Sequence, residues 1–408
     1  MTFEEFDLHD DILDAIYYMG FDKATPIQEQ AIPLILQNRD LMAFAQTGTG
    51  KTAAFMLPIL DKMAHVESDS INTLIIVPTR ELAIQIDQQI QGFSYFIPTN
   101  SIAIYGGGDG NDWTRERNAL TSKADIIVAT PGKMISHLSL GSLDLSNLKH
   151  LILDEADRML DMGFYDDIMR IVSYLPKERQ TLLFSATMPP KIKKMAASIL
   201  NNPEEIVIQM SKPAEGVLQA AYLVHENQKN ALINRLIVGK EEYSSILIFT
   251  STKIKVNQIV SGLKGKGYVV EGISSDLEQK QREEVLSNFR SRKTRVLVAT
   301  DVLSRGIDIK EIHLVINYDV PNDAEDYVHR VGRTARAEAE GVALTLVSET
   351  DMYKLQQIET LIGKEIPKVP LPIEIGEGPV WNPKFVRQAK SPSSKGNFRK
   401  GNNQKKRN

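Results

Sequence analysis

Two stretches of this chain repeat one alternation, a short apolar run followed by a helical pattern, and that doubling restricts the possible folds more than any other feature. In the first stretch the runs fall at 41–44, 74–77, 102–105, 126–129, 151–153 and 182–184. In the second they fall at 246–249, 268–270, 296–299, 314–317 and 342–347. Apolar runs this short read as strands buried on both faces, and parallel strands need helical crossovers between them. The expected class is therefore α/β, with two mostly parallel sheets flanked by helices. At 408 residues the chain is too long for one ordinary core, which agrees with two domains plus extensions. Between the stretches, Met210-Ser211-Lys212-Pro213-Ala214-Glu215-Gly216 is polar, broken by Pro and Gly, and reads as a linker. The expected division is a first domain over 1–209, a linker over 210–218, a second domain over 219–370 and a low-complexity tail over 371–408.

Two motifs carry chemistry. Ala45-Gln46-Thr47-Gly48-Thr49-Gly50-Lys51-Thr52 follows the first expected strand and has the spacing of a phosphate-binding loop. Gly48 and Gly50 let backbone N–H groups approach phosphate oxygens, Lys51 reaches the β- and γ-phosphates, and the Thr52 hydroxyl ligates Mg²⁺. About a hundred residues later, Asp154-Glu155-Ala156-Asp157 follows the apolar run His150-Leu151-Ile152-Leu153. Acids at the carboxyl end of a strand lie where open α/β sheets bind ligands. Asp154 is the expected Mg²⁺ partner, through water, because Mg²⁺ sheds its hydration reluctantly. Glu155 is placed to orient and deprotonate an attacking water. Asp157 is expected to tie the acidic loop to its neighbours. Together the two motifs indicate a nucleoside triphosphatase that uses ATP with Mg²⁺.

From these residues onward the sequence resembles the DEAD-box ATP-dependent RNA helicases of superfamily 2, over about 3–347. Phe3, Gly20-Phe21 and Thr25-Pro26-Ile27-Gln28 resemble the adenine-reading Q motif, with Gln28 pairing with the base edge and Phe21 stacking on the ring. Pro78-Thr79-Arg80-Glu81-Leu82-Ala83, Gly106-Gly107 and Thr130-Pro131-Gly132 resemble RNA-contacting motifs of the first domain, and Ser185-Ala186-Thr187 resembles the motif coupling hydrolysis to unwinding. In the second domain, Thr250 and Thr252, Gln279 with Arg282, and Val298-Ala299-Thr300-Asp301 match RNA-binding motifs. The resemblance assigns Thr300 to RNA and Asp308 of Ser304-Arg305-Gly306-Ile307-Asp308 to the ribose. His329-Arg330-Val331-Gly332-Arg333-Thr334-Ala335-Arg336 matches the motif that supplies arginine fingers, Arg333 and Arg336, with His329 in a coupling role. The implied architecture is two tandem RecA-like domains, closing over ATP and RNA. Departures stand at Ser274, Lys133 and Ala335, where the family more often has His, Arg and Gly.

The charge pattern bears on how RNA would be held. The net charge is −4, yet residues 384–408 hold nine Lys or Arg and no acid, so the remainder is at −13. An acidic body grips nucleic acid locally, through backbone amides and a few placed side chains, rather than by a broad positive face. The tail, with Phe398 among Gly396, Asn397, Arg399 and Lys400, suits a disordered electrostatic tether. There is no cysteine, which excludes disulfides and thiolate chemistry. The expected output is RNA-stimulated ATP hydrolysis with local unwinding of short duplexes, acting on single strands and short duplexes mostly by backbone contacts. The alternative is an ATP-gated RNA clamp. A cytoplasmic monomer with no membrane association is expected.

Overall fold

The computed structural model describes residues 1–45, 48–65, 70–106, 124–141, 143–208, 217–274, 276–300, 312–334 and 341–384. Fourteen strands among them form two sheets of seven. The first holds β1 (Leu41–Phe44), β2 (Thr73–Ile76), β3 (Ser101–Ile104), β4 (Ile126–Ala129), β5 (His150–Leu153), β6 (Gln180–Ser185) and β7 (Glu204–Val207), in spatial order β3-β4-β2-β5-β6-β1-β7. The second holds β8 (Val217–Leu223), β9 (Ile246–Thr250), β10 (Val270–Ile273), β11 (Val296–Thr300), β12 (Leu314–Asn317), β13 (Gly341–Val347) and β14 (Lys368–Val369), in the order β10-β11-β9-β12-β13-β8-β14. Every pairing in both is parallel. These are two tandem RecA-like units.

The apolar runs explain why the sheets are sandwiched. In β4, Ile126 and Val128 enter one core while Ile127 and Ala129 enter the other. The same two-residue alternation divides β9, with Leu247 and Phe249 on one side and Ile246 and Ile248 on the other. Each side chain of this kind contributes about 1.5–3 kcal/mol on full burial, so both faces must be covered by helices.

Several assignments differ from the sequence reading. Strands β7, β8 and β14 were not expected, and β8 takes Val217 and Leu218 from the expected linker. Strand β10 begins at Val270, where the expected strand ended. Beyond 370 the chain still belongs to the second unit, since Trp381 packs on its core and Lys368 Nζ lies 4.6 Å above that ring. The remaining linker residues 210–216 and the tail from 385 lie outside the described residues.

Because all strands run the same way, their carboxyl ends share one edge of each sheet. That edge carries residues 48–52 after β1, Pro78–Arg80 after β2, Thr130–Gly132 after β4, Asp154–Asp157 after β5 and Ser185 at the end of β6.

Candidate active site

The loop after β1 turns into the helix Lys51–Ala64 through two glycines in the left-handed region, Gly48 at φ 82° and Gly50 at φ 91°. Ala45 continues β1, its N–H donating to the Ser185 carbonyl at 3.0 Å. Lys51 is buried, with Nζ 3.8 Å from Asp154 Oδ1. Among the described residues that Nζ has no hydrogen-bond partner. A buried ammonium with one distant counter-charge is under-satisfied, and a phosphate at the loop would complete it. Burial pushes the Asp154 carboxyl up to about 6, against the lowering effect of Lys51, with the Glu155 charge raising it further. A carboxylate so placed gains from a cation brought in by the substrate. No cluster of three or more His, Cys, Asp or Glu able to hold a metal exists among the described residues.

Among the described residues Glu155 is one of five non-glycine residues with positive φ, at 53°, and it caps the short helix Ala156–Asp161. Such a conformation costs a non-glycine residue about 1–2 kcal/mol. It starts the helix one residue after Asp154 and gives the two adjacent acids different directions. Glu155 Oε2 pairs with Arg158 Nη1 at 3.2 Å, and Arg158 Nη2 lies 3.2 Å from His329 Nδ1 in the second unit. Asp157 Oδ2 accepts from the Thr187 N–H at 3.1 Å, and Ser185 Oγ donates to the Thr187 carbonyl at 2.8 Å. The acidic loop is thus joined to residues 185–187 through Asp157, and to His329 through Arg158. The sequence reading did not single out Arg158. Its signal was slight: an arginine one helical turn after Glu155.

A cavity of about 350 Å³ gathers residues from both units, among them Gly48, Gly50, Lys51, Thr52, Asp154, Glu155 and Arg333. Its far end is formed by Phe21, Gln28 and Phe93. Gln28 is buried; its Oε1 accepts from the Thr25 N–H at 2.8 Å and its Nε2 donates to the Gly50 carbonyl at 3.1 Å. One N–H and one lone pair of the amide are left for a base edge. Phe3 does not line the cavity. It is buried behind Phe21, ring centroids 6.3 Å apart, so its part is to seat Phe21. Thr49 and Ala45 likewise fall outside the lining.

The candidate RNA residues lie along the same sheet edges. Thr79 caps the helix Arg80–Phe93, accepting from the Leu82 N–H at 3.3 Å, and Thr252 caps Lys253–Lys264, accepting from the Lys255 N–H at 3.3 Å. Thr130 precedes the helix Pro131–Ser139, where a Cβ on Gly132 would meet nothing within 4 Å. Thr300 ends β11. Arg80 stacks on Tyr105 at 4.3 Å and reaches Glu283 Oε1 at 2.5 Å, while Arg282 reaches back to Glu81 Oε1 at 3.4 Å. Two Arg-Glu dipeptides, one from each unit, are therefore cross-paired. Arg80 Nε and Nη1 and Arg282 Nε are buried without hydrogen-bond partners among the described residues. Ser274, one of the departures, is buried and accepts from the Asp276 N–H at 3.3 Å. Gln46, Thr47, Gly107, Asp308, Ala335 and Arg336 lie outside the described residues.

Comparison with known proteins agrees with this geometry. Residues 25–195 match the family model described as DEAD/DEAH box helicase, and 228–338 match the helicase conserved C-terminal domain. The chain is 42% identical over 394 residues to the ATP-dependent RNA helicase CshA of Listeria monocytogenes, covering 96% of this chain and 74% of that protein. It is 42% identical to the DEAD-box ATP-dependent RNA helicase CshA of Geobacillus kaustophilus, covering 91% and 79%. Among solved structures, Dbp5 of S. cerevisiae bound to RNA and ADP BeF3 superimposes with a TM-score of 0.81 at 33% identity, covering 90% of this chain and 95% of that one. By these matches the chain belongs to the DEAD-box family of ATP-dependent RNA helicases.

Proposed function

We propose that this helicase couples ATP hydrolysis to closure of its two units on RNA, and that closure separates short duplexes locally. The observation that carries the reading is the shared cavity: Lys51, Asp154 and Glu155 come from the first unit and Arg333 from the second. Lys51, Thr52 and Asp154 would hold a magnesium nucleotide, with Mg²⁺ neutralising charge on the phosphates. Glu155 orients water, and its ion pair with Arg158 fixes the carboxylate. Arg333, planar and permanently charged, stabilises negative charge developing on the transferred phosphoryl group. Gln28 and Phe21 hold the base. Phe3 supports Phe21.

The contacts between units are weak enough for ligands to control. Glu283 is half exposed in its pair with Arg80, and the Arg282–Glu81 contact is long. A pair half open to solvent, such as Arg80–Glu283, is worth about 0–1 kcal/mol. Closure therefore depends on ATP at the shared cavity and on RNA along the paired edges, each biasing the same equilibrium. RNA contacts would run through Arg80, Arg282, Thr79, Thr130, Thr252 and Thr300, and address phosphates rather than bases. The described residues include no helix long and apolar enough to cross a membrane. We take the working form to be a monomer in the cytoplasm.

Steady-state ATP hydrolysis with and without single-stranded RNA tests the coupling. RNA should accelerate the wild type at least tenfold, and Arg333→Ala should lose the acceleration while still binding ATP. Equal rates with and without RNA in the wild type would refute it.

A further inference from the structure

Four aromatic side chains of the first unit lie outside its cores. At the end of the helix Asp10–Tyr18 and just past the helix Arg80–Phe93, Tyr17, Tyr18, Tyr95 and Phe96 are 78%, 77%, 77% and 41% exposed. Their rings form one run. Centroids are 5.9 Å apart from Tyr17 to Tyr18, 5.9 Å from Tyr18 to Phe96 and 5.0 Å from Phe96 to Tyr95. The two helix ends are seated on each other, since a Cβ on Gly92 would lie 2.9 Å from Met19 Sδ. The rings are thus held as one surface, and a contiguous exposed apolar surface marks an interaction site.

Its charge selects the partner. Asp10 and Asp14 are exposed, and they stand two turns and one turn before Tyr18 on the same helix. Residues 1–22 hold seven Asp or Glu and no Lys or Arg, and residues 81–100 hold no Lys or Arg. Lys23, the next residue along, lines the nucleotide cavity. Stacking platforms for single-stranded RNA combine aromatic rings with a positive groove, whereas phosphates here would meet carboxylates. Cationic side chains gain both from aromatic faces and from nearby acids. The chain carries such a segment: residues 385–408 hold eight Lys or Arg, no acid, and Phe398. Those 24 residues span up to about 80 Å when extended, and attachment to the same chain raises their effective concentration at the patch. We propose that Tyr17, Tyr18, Tyr95 and Phe96 form the docking site of the chain's own basic tail, and that RNA releases the tail by competing for its cations.

Because the chain has no cysteine, Asn100→Cys and Asn397→Cys introduced together into the full chain give two unique sites for nitroxide labels. Pulsed dipolar spectroscopy, with unlabelled chain in excess, should show a short, narrow distance distribution that becomes long and broad when single-stranded poly(U) is added. Tyr18→Ser with Phe96→Ser should broaden it without RNA. Asp10→Asn with Asp14→Asn, which keeps every ring, should do the same, and thermal unfolding confirms that each variant folds. With its tail freed, the ring variant should bind poly(U) about two- to fivefold more tightly at low salt. A broad distribution in the chain with its patch intact, or a narrow one that survives both pairs of substitutions, overturns the proposal. So does a narrow distribution that vanishes on dilution with unlabelled chain, which would make a second copy the source of the tail. Weaker poly(U) binding by the ring variant would make RNA the occupant and overturn it equally.

Discussion

At Gly50 the backbone takes φ +91°, and a Cβ built there would lie 2.4 Å from Gln28 Nε2 and 3.1 Å from Thr25 Oγ1. The residue thus holds phosphate loop and base-reading segment in contact, its carbonyl accepting from the Gln28 amide that a side chain would displace. Gly50→Ala should cost about 1–2 kcal/mol of stability from the left-handed backbone. It should cost more in nucleotide affinity, about tenfold or greater, because Gln28 must move. Fluorescent-ADP titration set beside thermal unfolding reads both; a stability loss with unchanged affinity would mean the contact is structural only. The glycines, Lys51 and the acids were legible from spacing alone, because phosphate chemistry fixes those residue types at those intervals. Arg158 was not, because an arginine on a helix is ordinary until the fold shows what it faces.

Elements were legible in proportion to their burial. Strands such as β2 and β4, buried throughout, announce themselves as apolar runs. Strand β7 does not: Glu204-Glu205-Ile206-Val207 is a sheet edge with one buried residue. Strand β8 lies between β13 and β14, yet its Gln219, Ala220 and Ala221 lack the branched residues that mark a strand. Strand β14 has two residues and owes its place to pairing with β8. At the amino ends of β5 and β6, His150 Nδ1 meets Gln180 Oε1 at 3.0 Å, and Gln180 Nε2 donates to the carbonyls of Ile35 and Arg39. Burial, then the charge of Lys62, lowers the His150 imidazole to about 3. An unfolded histidine titrates near 6.5, so the native state binds fewer protons here. This contribution is complete above about pH 6.5 and is lost as pH falls toward 3, at up to about 1.4 kcal/mol per pH unit. Denaturant melts of wild type and His150→Gln between pH 6.5 and 4 should show a stability gap that narrows by about 3 kcal/mol toward acid. A pH-independent gap would mean His150 is not held neutral.

At the scale of the molecule, the two sheets share one strand order, yet only the first offers a phosphate loop. Strand β1 sits between β6 and β7 and leads to the helix opening at Lys51; β8 sits between β13 and β14 and leads to the helix opening at Lys229. Both lysines are buried. Among the described residues Lys51 Nζ has only the distant Asp154 as an ion partner, whereas Lys229 Nζ donates to the Tyr318 carbonyl at 2.8 Å and pairs with Glu226 at 2.8 Å and Asp319 at 3.5 Å. In the second unit an internal carboxylate stands where the first leaves its lysine to phosphate. In the proposed reaction that unit would act on ATP from across the cleft, through Arg333, which lines the shared cavity. The equivalent substitutions should therefore behave oppositely. Lys51→Met should abolish nucleotide binding and change stability little, since it removes an under-paired buried charge but also takes from Asp154 its one distant counter-charge. Lys229→Met should lower stability by about 1–3 kcal/mol, because Glu226 and Asp319 lose a shared cation and a carbonyl its donor, while nucleotide affinity stays near wild type. Isothermal titration with ATP and chemical denaturation of both variants decide the matter: a binding defect in Lys229→Met comparable to that of Lys51→Met would show that the second lysine also serves the nucleotide.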